Sequence, residues 1–72
     1  MSDTDKVREA TRELQGHQGF DLEIGFGGGV WCLRVSNGSL ANGVAFKDHS
    51  DAKSAAASLR IWIDKVAAKD GA

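Results

Sequence analysis

Between Phe20 and Lys47 apolar and polar residues alternate in three short runs, separated by glycine-bearing breaks. Phe20-Asp21-Leu22-Glu23-Ile24-Gly25-Phe26 alternates strictly, which predicts a half-buried strand with one apolar face. Gly27-Gly28-Gly29 follows, then a second run from Val30 to Ser36. Asn37-Gly38 is a strong hairpin signal, because a type I′ turn needs positive φ at both central positions. Ser39 to Lys47 reads as a third strand, with Asn42-Gly43 expected to form a bulge or kink. Strands are thus predicted over residues 20–26, 30–36 and 39–47. Breaks this short cannot hold a parallel crossover, so the sheet must be an antiparallel meander.

The apolar pattern also suggests a register. A turn at Gly27-Gly28 places Ile24 beside Trp31, Leu22 beside Leu33 and Phe20 beside Val35, with Asp21 across from Arg34. A slip of one residue would exchange the two faces. A turn at Asn37-Gly38 places Val35 beside Leu40 and Trp31 beside Val44. The predicted core face carries Phe20, Leu22, Ile24, Trp31, Leu33, Val35, Leu40, Val44 and Phe46. The other face offers small residues, among them Cys32, Ala41, Gly43 and Ala45, ringed by Asp21, Glu23, Arg34 and Lys47.

A sheet with one apolar face needs a cover, and the flanks supply it. Ser2 with Asp5 three residues on is a weak capping box. Val7, Ala10, Thr11 and Leu14 fall at helical spacing, and Gly16 suits a C-cap, so a helix is predicted over residues 2–15. A second helix is predicted over residues 51–68, capped by Asp48 or Ser50, with Gly71 beyond its end. Its Ala52, Ala55, Ala56, Leu59, Trp62, Ile63 and Val66 span an arc of roughly 120° at about 100° per residue. Trp31 and Trp62 both fall on core faces, and loss of the Trp62 indole is expected to cost about 3–5 kcal/mol. The predicted fold is one α+β domain over residues 1–72. Its order is α-β-β-β-α, a three-stranded antiparallel meander covered on one face by two helices.

Composition narrows the function. Nine Lys+Arg against ten Asp+Glu give a net charge of −1, which disfavours the usual strongly basic nucleic-acid binder. No apolar run approaches the roughly 20 residues that span a bilayer, so no membrane association is expected. Met1-Ser2-Asp3-Thr4-Asp5 does not read as a secretory signal, and Cys32 has no second cysteine to pair with. A cytoplasmic location is the expectation. The glycines near Gly27 lie between two strands, whereas phosphate-cradling loops lie between a strand and a helix. Cys32, His17 and His49 show no metal-ligand spacing and no nucleophile signature. No catalytic residue, cofactor, metal or small-molecule substrate is therefore assigned.

Chains below about 70–80 residues seldom gain more than about 3–5 kcal/mol from one core, which favours a protein partner or a second copy. Two surfaces are candidates. Ile61 lies about 160° from the centre of the core arc and, with Ala57 and Ala68, forms an apolar strip where a helix should face water. The outer sheet face around Cys32 and Arg34 is small enough for a close-packed partner. The expected function is a non-catalytic protein-binding module, of the kind phages and mobile elements make to inhibit host machinery, with a homodimer as one form.

The α-β-β-β-α order, together with Ala52-Lys53-Ser54-Ala55-Ala56-Ala57, resembles the double-stranded RNA-binding domain. That family opens its last helix with Lys-Lys-x-Ala-Lys-x-x-Ala-Ala. Lys53 matches its third lysine, while His49 and Ser50 stand in place of the first two. The family's Gly-Pro-x-His loop is replaced by Gly25-Phe26-Gly27-Gly28-Gly29. The resemblance implies nucleic-acid contacts at His49, Lys53 and Arg60. Duplex RNA is held by cations on its phosphates. With two of the three lysines replaced, specific duplex binding is not expected at physiological salt.

Overall fold

The computed structural model describes residues 2–71. Helix α1 runs Asp3–Ala10, strands β1, β2 and β3 run Asp21–Gly27, Val30–Asn37 and Leu40–Phe46, and helix α2 runs Ala52–Gly71. The strands form one antiparallel sheet in the order β1-β2-β3. Both helices lie on its apolar face, as the alternation predicts.

Ser2 caps α1 by accepting the Asp5 N–H at 3.2 Å. The α-helix does not continue to residue 15. Thr11, fully buried, ends it: its N–H and its hydroxyl both donate to the Val7 carbonyl, at 3.0 and 2.8 Å, while its backbone (φ −108°, ψ 6°) leaves the α conformation. A 3-10 turn over Arg12–Leu14 follows, and Gly16 then takes a left-handed conformation (φ +74°). A second 3-10 turn, His17–Gly19, leads into β1, and Gln18 adopts φ +53° within it. The chain stays compact here because Val7, Thr11, Leu14 and Phe20 are all buried, so tertiary packing overrides the single long helix.

The two hairpins slip by two residues from the predicted register. The first turn is Gly28-Gly29, both at positive φ, and it pairs Leu22 with Val35, Ile24 with Leu33 and Phe26 with Trp31. Glu23, rather than Asp21, stands across from Arg34. The second turn is Gly38-Ser39, and Gly38 alone of the two has positive φ, which is a type II′ rather than a type I′ turn. It pairs Leu33 with Val44 and Trp31 with Phe46. A slip of two preserves every face, so the apolar pattern could not distinguish these registers. The observed one sets Phe26 on Trp31 (ring centroids 4.4 Å apart) and gives Phe46 a buried place beside Trp31. The expected bulge at Asn42-Gly43 is absent: pairing runs unbroken from Asn37–Leu40 to Trp31–Phe46. Gly43 has instead a packing role, since a Cβ there would lie 3.0 Å from the Leu33 carbonyl oxygen.

Asp48, two residues past the end of β3, starts the final helical segment. Its carboxylate accepts the Ser50 N–H at 3.0 Å, capping a 3-10 turn (His49–Asp51) that leads into α2. The predicted arc is the buried one: Ala52, Ala56, Leu59 and Ile63 are buried, with Ala55, Trp62 and Val66 packed at the margin. Helix α2 extends through Gly71 rather than stopping before it. Trp62 is only partly buried, its ring meeting Phe20 edge-on with centroids 5.7 Å apart. Its truncation therefore costs less than a fully buried tryptophan's would, and the central aromatic of this core is Phe20.

Candidate interaction surfaces

Helix α2 has a core side and a water side. Leu59 and Ile63 point into the sheet. Ile61, between them in sequence, is 65% exposed, and Ala57 and Ala68 beside it are exposed too. The helical period places all three on one strip facing away from the sheet. Exposed β-branched residues are common singly, but Ala57, one turn before Ile61, adds flat apolar area with little side-chain entropy to lose on contact, while the exposed Asp64 and Lys65 lie between Ile61 and Ala68.

Cys32 and Arg34 lie on the opposite side of the molecule. They line a shallow trough on the outer sheet face with Ala41, Gly43 and Ala45. Its floor is the β2–β3 backbone, open because Gly43 has no side chain opposite Arg34. Cys32 is an exposed free thiol. The two groups of residues expected to meet a partner are thus separate surfaces, one on the helix layer and one on the sheet layer.

The residues implied by the nucleic-acid resemblance are scattered in their engagements. Lys53 is exposed in the first turn of α2. His49 Nε2 lies 3.7 Å from Asp3 Oδ1. Arg60 donates to Glu13 Oε2 at 3.2 Å. The Arg60 guanidinium thus already has a carboxylate partner on the segment after α1.

Sequence reasoning missed a third exposed feature. Phe26 is 56% exposed at the hairpin end, its ring tilted 38° against that of Trp31, with Asp3, Thr4, Lys47, Asp48 and His49 around the same hollow. Strand parity puts Phe26 on the core face, which was readable; that it stays 56% exposed there was not. A second missed contact ties the turn after α1 to α2. His17 Nε2 lies 2.6 Å from Asp64 Oδ1, and Gln18 Nε2 donates to the same oxygen at 3.4 Å. These partners are 47 and 46 residues apart, so only the fold unites them.

Both structural carboxylates are more acidic than usual. The bond from His17 holds Asp64 below the ordinary carboxylate value of 3.8, and the Ser50 hydrogen bonds do the same for Asp48. A carboxylate depressed by folding stabilises the fold above its unfolded pKa and loses that contribution as pH falls through the lower folded value. Stability should therefore decline below about pH 4. Acid titration followed by circular dichroism should show a shallower decline for the Asp48→Asn/Asp64→Asn double variant; an unchanged slope would remove these groups from the account.

Among the described residues His, Cys, Asp and Glu form no group of three or more able to hold a metal ion, and no helix is long and apolar enough to cross a membrane. No family model, no curated protein and no solved structure matches this chain.

Proposed function

We propose that this protein is a non-catalytic protein-binding module whose contact surface is the outward strip of α2. The observation that supports this reading most is the exposure of Ile61 at 65% on a helix whose other large aliphatic residues are buried or packed against the core. Ala57 extends the apolar surface one turn back from Ile61, and Asp64 and Lys65 border it on the other side before Ala68. Such a module acts by occupying a surface on another protein, as small inhibitors of host machinery made by phages or mobile elements do. A cytoplasmic setting, where Cys32 stays reduced, belongs to the same reading.

Affinity capture with the immobilised protein, compared with Ile61→Glu, tests it. A protein retained by the parent at stoichiometric yield and lost with Ile61→Glu is the expected result. Equal retention by both would remove the α2 strip from the function.

A second reading takes the α-β-β-β-α architecture as a degenerate duplex-RNA-binding domain. It is favoured by the exposure of Lys53 in the first turn of α2. The pairing of Arg60 with Glu13 weighs against it, because phosphate binding would have to displace a carboxylate. Titration of a labelled RNA duplex at about 0.15 M salt is expected to show no specific binding, with residual binding weakened further by salt and by Lys53→Ala. Tight binding abolished by Lys53→Ala would put this reading first.

A further inference from the structure

The two edges of the sheet are unlike each other. Strand β1 carries Asp21 and Glu23, and Arg8, Arg12 and Gln15 from the α1 segment share a groove with its Leu22 and Ile24. Charge and side-chain cover of this kind keep an edge from pairing. Strand β3, Leu40-Ala41-Asn42-Gly43-Val44-Ala45-Phe46, carries no charge and no proline across its whole length.

The register shows which backbone groups β3 leaves open. A two-residue hairpin turn closes on a hydrogen-bonded pair, here Asn37 with Leu40. Bonded and non-bonded pairs alternate, so Asn42, Val44 and Phe46 also bond to β2. The N–H and C=O groups of Ala41, Gly43 and Ala45 then point to the free edge. One contact corroborates this: the Gly43 N–H, unused by the ladder, donates to its neighbour's Asn42 Oδ1 at 2.8 Å.

We propose that β3 pairs antiparallel with β3 of a second copy of this chain, with the two-fold axis at Gly43, making a continuous six-stranded sheet. The strand is self-complementary about that axis. Gly43 meets Gly43 of the copy, Ala41 meets Ala45, and Asn42 meets Val44. Each outward residue exchanges both its backbone bonds with its opposite, and the Asn42 carboxamide is released from the Gly43 N–H. The first charged residues beyond the strand, Lys47 and Asp48, fall opposite Ser39 and Gly38, so no charge meets its like. Such a closed, two-fold contact uses the same patch on both partners and leaves no reactive edge on the β3 side. The outer troughs at Cys32 and Arg34 would adjoin across the axis. This pairing uses the backbone of β3 and not the side chains of α2, so it stands or falls apart from the α2 reading.

Sedimentation equilibrium up to about 1 mM protein detects association of even weak dimers. The parent chain is expected to dimerise. Ala41→Lys/Ala45→Lys sets lysine against lysine twice and should weaken the dimer about tenfold or more. Ala41→Lys/Ala45→Glu sets lysine against glutamate in the same places and should restore it. Both positions are exposed on the outer face, so circular dichroism should match the parent. Ala45→Pro removes an outward N–H but no bond to β2, and gives an independent break if the lysine pair fails to fold. A parent that stays monomeric, a folded double-lysine or proline variant that dimerises like the parent, or a Lys/Glu variant that does not recover would each overturn the proposal.

Discussion

Phe20→Ala is expected to cost about 3–5 kcal/mol, the range for a buried aromatic truncated to alanine. Phe20 is 1% exposed and is among the largest fully buried side chains. It stands where the irregular segment after α1 enters β1, and its ring meets Trp62 of α2 edge-on at 5.7 Å. Truncation therefore opens a cavity between α2 and the sheet and removes the aromatic pair at once. In a domain of this size the loss approaches the whole stability of about 3–5 kcal/mol. Chemical denaturation should find the variant largely unfolded at 25 °C. Trp62→Ala, removing a half-buried ring, should lose less. The reverse order would show that Trp62 organises the packing here.

Leu33→Ala is the second large effect, at about 2–5 kcal/mol. Leu33 is 1% exposed on the central strand, between Ile24 on one side and Val44 on the other. Little relaxation can fill a gap there, because Leu33 lies on the central strand with a paired strand on either side and α2 closes the face. The same substitution at Ile24 or Val44, each partly buried on an edge strand, should cost clearly less. Equal losses at all three would mean that the sheet does not close over Leu33 as described.

Face assignment, fold class and helix phase were legible in the chain because each rests on a period. Alternation puts Trp31, Leu33 and Val35 inward and Cys32 and Arg34 outward, and both placements hold. The helical period of 3.6 residues sets Ile61 on the other side from Leu59 and Ile63, each two residues away, and the exposures follow it. Register was not legible. Period two is blind to a slip of two, and Asn37-Gly38 competes with Gly38-Ser39 for the turn; the burial of Phe46 beside Trp31 decides between them. The break in the first helix was hidden because Thr11 falls at helical spacing with Val7, and only the packing of Leu14 and Phe20 into the core shows the chain leaving the helix there. The links His17–Asp64 and Arg60–Glu13 were hidden because they join residues 47 apart. The edge of β3 was half legible. Its lack of charge is in the sequence, but which of its residues face outward depends on the register.

The account turns on α2 having a core side and an outward side two residues apart in sequence. Thermal melting of Ile61→Glu beside Ile63→Glu measures this directly. Ile61→Glu should melt within about 0.5 kcal/mol of the parent, as surface substitutions do. Ile63→Glu, which buries a carboxylate at a fully buried position, should not fold. An Ile61→Glu protein as destabilised as Ile63→Glu would contradict the two-sided helix and the contact surface built on it.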